Sequence, residues 1–110
     1  MDAFDEANRL YFHERRIEDA LASYLLVPED HPRFVTARRN MGHNLYGREW
    51  SRWEDGLPFL EEALRLEPDD PKVLEDIGRT YVAVGRRDEG KRLLERASTP
   101  VAEHALSKLA

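Results

Sequence analysis

The chain has 110 residues, of which 35% are charged and 41% apolar, with a net charge of −5 and no cysteine. That length suits one domain, 1–110, burying roughly two-thirds of its unfolded surface, and the apolar share is too high for disorder. The acidic balance argues against a nucleic-acid partner, which demands clustered positive charge, and the longest apolar run, Tyr24 to Val27, is far below the ~18 residues of a membrane span.

Every long segment follows the helical period and none alternates as a strand would. The first helix is predicted from about Asp2 to His13, with Phe4, Ala7, Leu10 and Tyr11 on one stripe. A break at Glu14 to Arg16 leads into a second helix that ends near Val27, because Pro28 lacks an amide donor and pushes its predecessor toward extended backbone. Pro32 is placed to open a third helix carrying Val35, Met41, Gly42, Leu45 and Tyr46 and stopping around Gly47. Ser51 with Glu54 three residues on reads as a capping box for a fourth helix with Trp53, Leu57, Leu60, Ala63 and Leu64, closing at Pro68. Pro58 is a misfit there and requires either a kink or a late helix start. Trp50 lies in a two-residue insertion, where it either marks a contact patch or packs under the lengthened loop.

Asp70-Pro71 combines an N-cap acid with a first-turn proline and starts a fifth helix, which Gly85 ends after Leu74, Ile77, Gly78, Tyr81 and Val82. A sixth spans roughly Arg87 to Ala97. Thr99-Pro100 opens a seventh through Ala105, Leu106 and Leu109, with no partner beyond it.

These helices repeat. Tyr11, Ala20, Tyr24 and Pro32 align with Leu45, Gly56, Leu60 and Pro68, and with Tyr81, Gly90, Leu94 and Pro100, at a period of about 34 residues. A unit of that length is one helix pair that cannot bury its own apolar face, so it stacks on its neighbours.

The pattern resembles the tetratricopeptide repeat family. The third unit carries it best, in Leu74, Ile77, Gly78, Tyr81, Gly85, Gly90, Leu94 and Ala97. The second follows with Met41, Gly42, Leu45, Trp53, Gly56, Leu60, Ala63 and Pro68, and the first with Phe4, Ala7, Tyr11, Ala20, Tyr24, Val27 and Pro32. Asn8 stands where the family prefers glycine, and Arg38 where it prefers a bulky apolar residue. The resemblance implies an all-α fold: an α-solenoid of three antiparallel helix pairs in a right-handed superhelix, with repeats at about 1–34, 35–70 and 71–100 and a seventh, capping helix at about 100–110.

It also implies a concave groove lined by the first helix of each pair. Carried over position by position, the partner-binding candidates are Arg9, Phe12 and His13 from the first unit, Arg39, Asn40, His43 and Tyr46 from the second, and Lys72 and Arg79 from the third. Arginines would set the register of a carboxylate-bearing peptide, and a buried aromatic contact would supply most of the affinity. Chaperone-binding members of the family grip a C-terminal carboxylate with a clamp of two lysines, two asparagines and an arginine. Asn40 and Lys72 match it, but Asp5, Arg9 and Asp76 do not, and two of these are negative where the clamp is positive.

Catalytic and metal chemistry find no foothold. His13, His31, His43 and His104 lack helix-spaced ligand partners, the glycines form no phosphate loop, and the serines have no nucleophile context. The chain thus reads as a non-enzyme with no cofactor, a scaffold or adaptor that binds a protein or peptide partner. The competing reading is an assembly protein that self-associates weakly through its end helices; it requires Leu106 and Leu109 to stay exposed. The acidic start, Met1-Asp2-Ala3-Phe4-Asp5, lacks the basic and apolar regions of a secretory signal, which favours the cytoplasm. Fourteen arginines against three lysines go with a GC-rich bacterial source.

Overall fold

Each segment with an apolar helical period is helical, and no residue lies in a strand, in the computed structural model, which describes residues 1–110. Helix α1 (Ala3–Asn8) runs on as a π-helical segment, Arg9–His13, and α2 spans Ile17–Leu25. Helix α3 (Phe34–Arg39) likewise runs on as a longer π-helical segment, Asn40–Glu49. Then follow α4 (Trp53–Leu66), α5 (Pro71–Ala83), α6 (Arg87–Ala97) and α7 (Pro100–Ser107).

Several starts follow their side chains. Asp70 accepts from the amides of Lys72 and Val73 ahead of Pro71, and Thr99 accepts from the amide of Ala102 ahead of Pro100. Pro32 does not open α3. The His31 ring accepts from the Arg33 amide at 2.9 Å and Arg33 sits at φ −108, so residues 31–33 form a turn and the helix begins at Phe34. No capping box forms at Ser51 either. Ser51 adopts a left-handed φ of 54, its amide and that of Arg52 close the preceding helix onto Gly47 and Tyr46, and Arg52 becomes the N-cap. The two-residue insertion is absorbed as wide π turns, which carry the third helix to Glu49 rather than Gly47. Helix α4 runs unbroken from Trp53 through Pro58, so there is no late start; Glu54 and Pro58 are both solvent-exposed, on the side where a missing amide donor costs least.

The three connections within pairs share one device absent from the expectations above. A left-handed residue (Arg15, Ser51, Gly85) precedes an arginine N-cap (Arg16, Arg52, Arg86), whose guanidinium reaches an acid three residues on: Asp19, Asp55 and Glu89. The arginine ties down the first turn from outside, where a serine would have bonded the amides.

Helices pack as antiparallel neighbours, α1 with α2, α3 with α4 and α5 with α6, and each pair leans on the next. The middle and last seams close on glycine. A Cβ on Gly42 would lie 2.7 Å from the Gly56 carbonyl oxygen, and one on Gly90 2.6 Å from that of Gly78. Tyr24, Met41, Leu45, Leu60, Ile77 and Leu94 are fully buried. Trp50 is half-buried, edge-on to Tyr46 at 5.3 Å, which is packing and not a free patch. The body measures 43 × 26 × 22 Å. Helix α7 covers the last pair through Ala102, Ala105, Leu106 and Leu109, with Glu103 and Lys108 outward.

Candidate partner-binding surface

The polar residues of the middle unit turn to one another. The Tyr24 hydroxyl donates to Oδ1 of Asn8 at 2.6 Å and accepts from Nδ2 of Asn40 at 3.1 Å. Asn44 donates to Oδ1 of Asn40, and Oδ1 of Asn44 lies 3.1 Å from Nδ1 of His43. That nitrogen is 3.8 Å from Asp76, whose other oxygen receives Nε of Arg39 at 2.9 Å. The result is one polar relay from α1 across α2 and α3 to α5. It also explains Asn8: the position that favours glycine elsewhere supplies the acceptor for a buried phenol.

Burial governs the titration of this relay. It pushes the Tyr24 hydroxyl up to about 12, against the Asn40 hydrogen bond. His43, 3% exposed, is held below its ordinary value by desolvation first; the Asp76 carboxylate works the other way and Arg79 adds to the depression. The ring packs against Trp53 at 5.7 Å, and its Nε2 has no hydrogen-bond partner.

Arg39, Asn40 and His43 therefore hold neighbouring helices together and do not stand free in a groove. Tyr46 is displaced too. The π-helical turns swing it onto Phe59, with which it stacks at 5.7 Å, and beside Trp50, Leu21 and Glu18, toward the second helices of the pairs. Arg38 behaves as its hydrophobic counterpart would: its guanidinium lies over Phe34 at 4.5 Å and over Phe59, with Nε 2.9 Å from Glu62 but off the hydrogen-bonding direction.

The remaining candidates keep an open face. Phe12 is 56% exposed beside Tyr11, His13 is exposed, and Arg9 is half-exposed with Glu6 and Glu14 as ion-pair partners. Close by, the Tyr11 hydroxyl donates to Glu49, whose carboxyl is held low chiefly by the Arg15 guanidinium. At the far end Lys72 is exposed. Arg79 joins Pro100, Val101, His104, Ala105 and Lys108 around a cleft of about 440 Å³ between α5 and α7. The sequence offers α7 as a cap or a self-association surface but not as a cleft wall; residues 101 and 108, away from Leu106 and Leu109, were the available signal.

No three His, Asp or Glu side chains converge as metal ligands, and no helix is long and apolar enough to cross a membrane. A family model described as Tetratricopeptide repeat matches residues 51–109, just over half of the chain. No curated protein and no solved structure matches it.

Proposed function

The chain belongs to the tetratricopeptide repeat family, whose members are generally protein–protein interaction modules, and we propose that it is a non-catalytic adaptor or scaffold of the cytoplasm that takes a peptide or protein segment along the inner face of its first helices. The observation that carries this reading is Phe12, a large aromatic left 56% exposed at an inner position with Arg9 and His13 beside it. An exposed aromatic among charges is the usual make-up of an energetic anchor. The contact residues on this reading are Arg9, Phe12, His13, Lys72 and Arg79. Arg39, Asn40 and His43 act from beneath by fixing the spacing of the helices that present them, and Tyr46 drops out.

The assembly reading loses its main support, since Leu106 and Leu109 are half-buried against the last pair. Peptides selected by display against the immobilised protein, followed by amide chemical-shift mapping, test the proposal. Shifts should gather on α1, α3 and α5, and Phe12→Glu should weaken binding by about tenfold or more. Shifts confined to α2, α4 and α6 would refute it.

A further inference from the structure

Helix α7 has more apolar surface than capping requires. Ala102, Leu106 and Leu109 face the last pair and the half-buried Ala105 lies at the edge between that contact and the cleft, which leaves Pro100 and the 46% exposed Val101 open on the cleft side. Pro100, Val101 and Ala105 floor the cleft against α5. Its rim carries two cations, Arg79 from α5 and Lys108 at the end of α7, alongside the His104 ring.

Neither Arg79 nor Lys108 forms an ion pair, which is equally true of Arg33, Arg48, Arg65, Lys72, Arg87, Lys91 and Arg92; what sets these two apart is that they flank an apolar cleft. The nearest buried acid, Asp76, is already held by Arg39 at 2.9 Å. Glu75 stands one turn before Arg79 without reaching it, and Glu103 does not line the cleft. An apolar floor under unpaired cations is complementary to a ligand that is itself apolar and anionic. A bare anion leaves the floor wet, and a purely apolar group leaves the rim without counter-charge. The volume lies in the lower part of the small-ligand range and fits one or two side chains, not a folded surface.

We propose that the cleft between α5 and α7 docks a partner's peptide segment in which a bulky apolar side chain is flanked by carboxylates. The apolar side chain lies on Val101 and Ala105, and the carboxylates meet Arg79 and Lys108. This rests on the interaction-module reading for the class of partner, but not on the path taken along α1 and α3.

The probe is a fluorescein-labelled hexapeptide, Asp-Glu-Leu-Phe-Asp-Glu, titrated by anisotropy into the full chain at low salt. Two controls accompany it: one with lysine in place of every acid, and one with Ser-Gly in place of Leu-Phe. The acidic apolar peptide should bind at least about tenfold more tightly than either, and added salt should weaken it. Arg79→Glu with Lys108→Glu, and separately Val101→Asp, should each cost about tenfold, whereas Arg65→Glu on α4 should not. Circular dichroism melts confirm that each variant is folded, and the exposed Val101 provides a second route should the double variant lose α7. Equal binding of the lysine peptide, or retention of affinity within about twofold in both cleft variants, overturns the proposal. So does sedimentation showing that a second copy of the chain occupies the cleft. Display-selected peptides that still map to Phe12 would leave the interaction-module reading standing. Cleft binding with selected peptides mapping only to α2, α4 and α6 would refute the groove path alone.

Discussion

The first and last helix pairs solve one packing problem in different ways. Between α5 and α6 two glycines meet, Gly78 against Gly90, and the helices close until a single Cβ would collide with backbone. Between α1 and α2 the same places hold Asn8 and Ala20. There α1 runs on into π turns, and the hydrogen bond from Tyr24 to Asn8 spans the seam. A seam closed by contact is intolerant of added volume. A seam closed by a hydrogen bond is intolerant of a lost atom.

The largest effect follows from volume. Gly90→Val drives a side chain into the Gly78 carbonyl and Val82 and should cost about 3 kcal/mol or more, a fall in Tm of roughly 12 °C or more. Ala20→Gly at the first seam should cost only about 1–2 kcal/mol, the helix propensity difference plus one buried methyl. Urea midpoints of the two variants break the comparison if they match.

A lost atom comes next. Tyr24→Phe strands Oδ1 of Asn8 and Nδ2 of Asn40 and should cost about 1–2 kcal/mol, whereas Tyr81→Phe, whose hydroxyl is 3.4 Å from the exposed Glu61, should cost less than about 0.5 kcal/mol.

The third test is pH. Because burial lowers the folded-state pKa of His43 below its ordinary 6.5, the unfolded chain takes the proton first. Stability should hold above pH 6.5 and fall as the pH drops from there toward the lowered folded value. Glu49, whose own pKa lies below 4.5, affects stability only at lower pH. Urea midpoints between pH 8 and pH 5 should show this loss, and His43→Gln should flatten it. An unchanged slope in the variant would refute a buried neutral ring.

The smallest effects lie in the turns. Ser51→Gly relieves a left-handed serine and should stabilise by about 0.5 kcal/mol, while Gly85→Ala, at φ 90, should destabilise by about 1 kcal/mol.

The fold was readable where residues act locally. Asp70-Pro71, Thr99-Pro100 and Gly85 mark helix ends through their own backbone chemistry, and Gly42, Gly56, Gly78 and Gly90 mark seams because nothing larger fits. Pro32 and Ser51 misled because each met a competitor that spacing does not reveal: a His31 ring holding the Arg33 amide, and a chain reversal that needed positive φ. The surface was read less well. Arg39 and Asn40 sit at inner positions, yet their partners, Asp76 and Tyr24, are 37 and 16 residues away, so nothing local showed that they were already engaged. Tyr46 was lost to the π turns, which change the angle per residue on which any face assignment depends. The open side of α7, Val101 with Lys108, was visible in the sequence but concealed by the role already given to Leu106 and Leu109.

The relay from Asn8 to Asp76 also has a mechanical consequence. A stacked array bends at its junctions, and each junction here is crossed by at least one directional bond, neutral between Tyr24 and Asn40 and charged between Arg39 and Asp76. Flattening or tightening the curve must stretch both. The molecule is therefore a stiff spring at its middle, while α7 is joined to the last pair chiefly by aliphatic contact, which has no preferred direction.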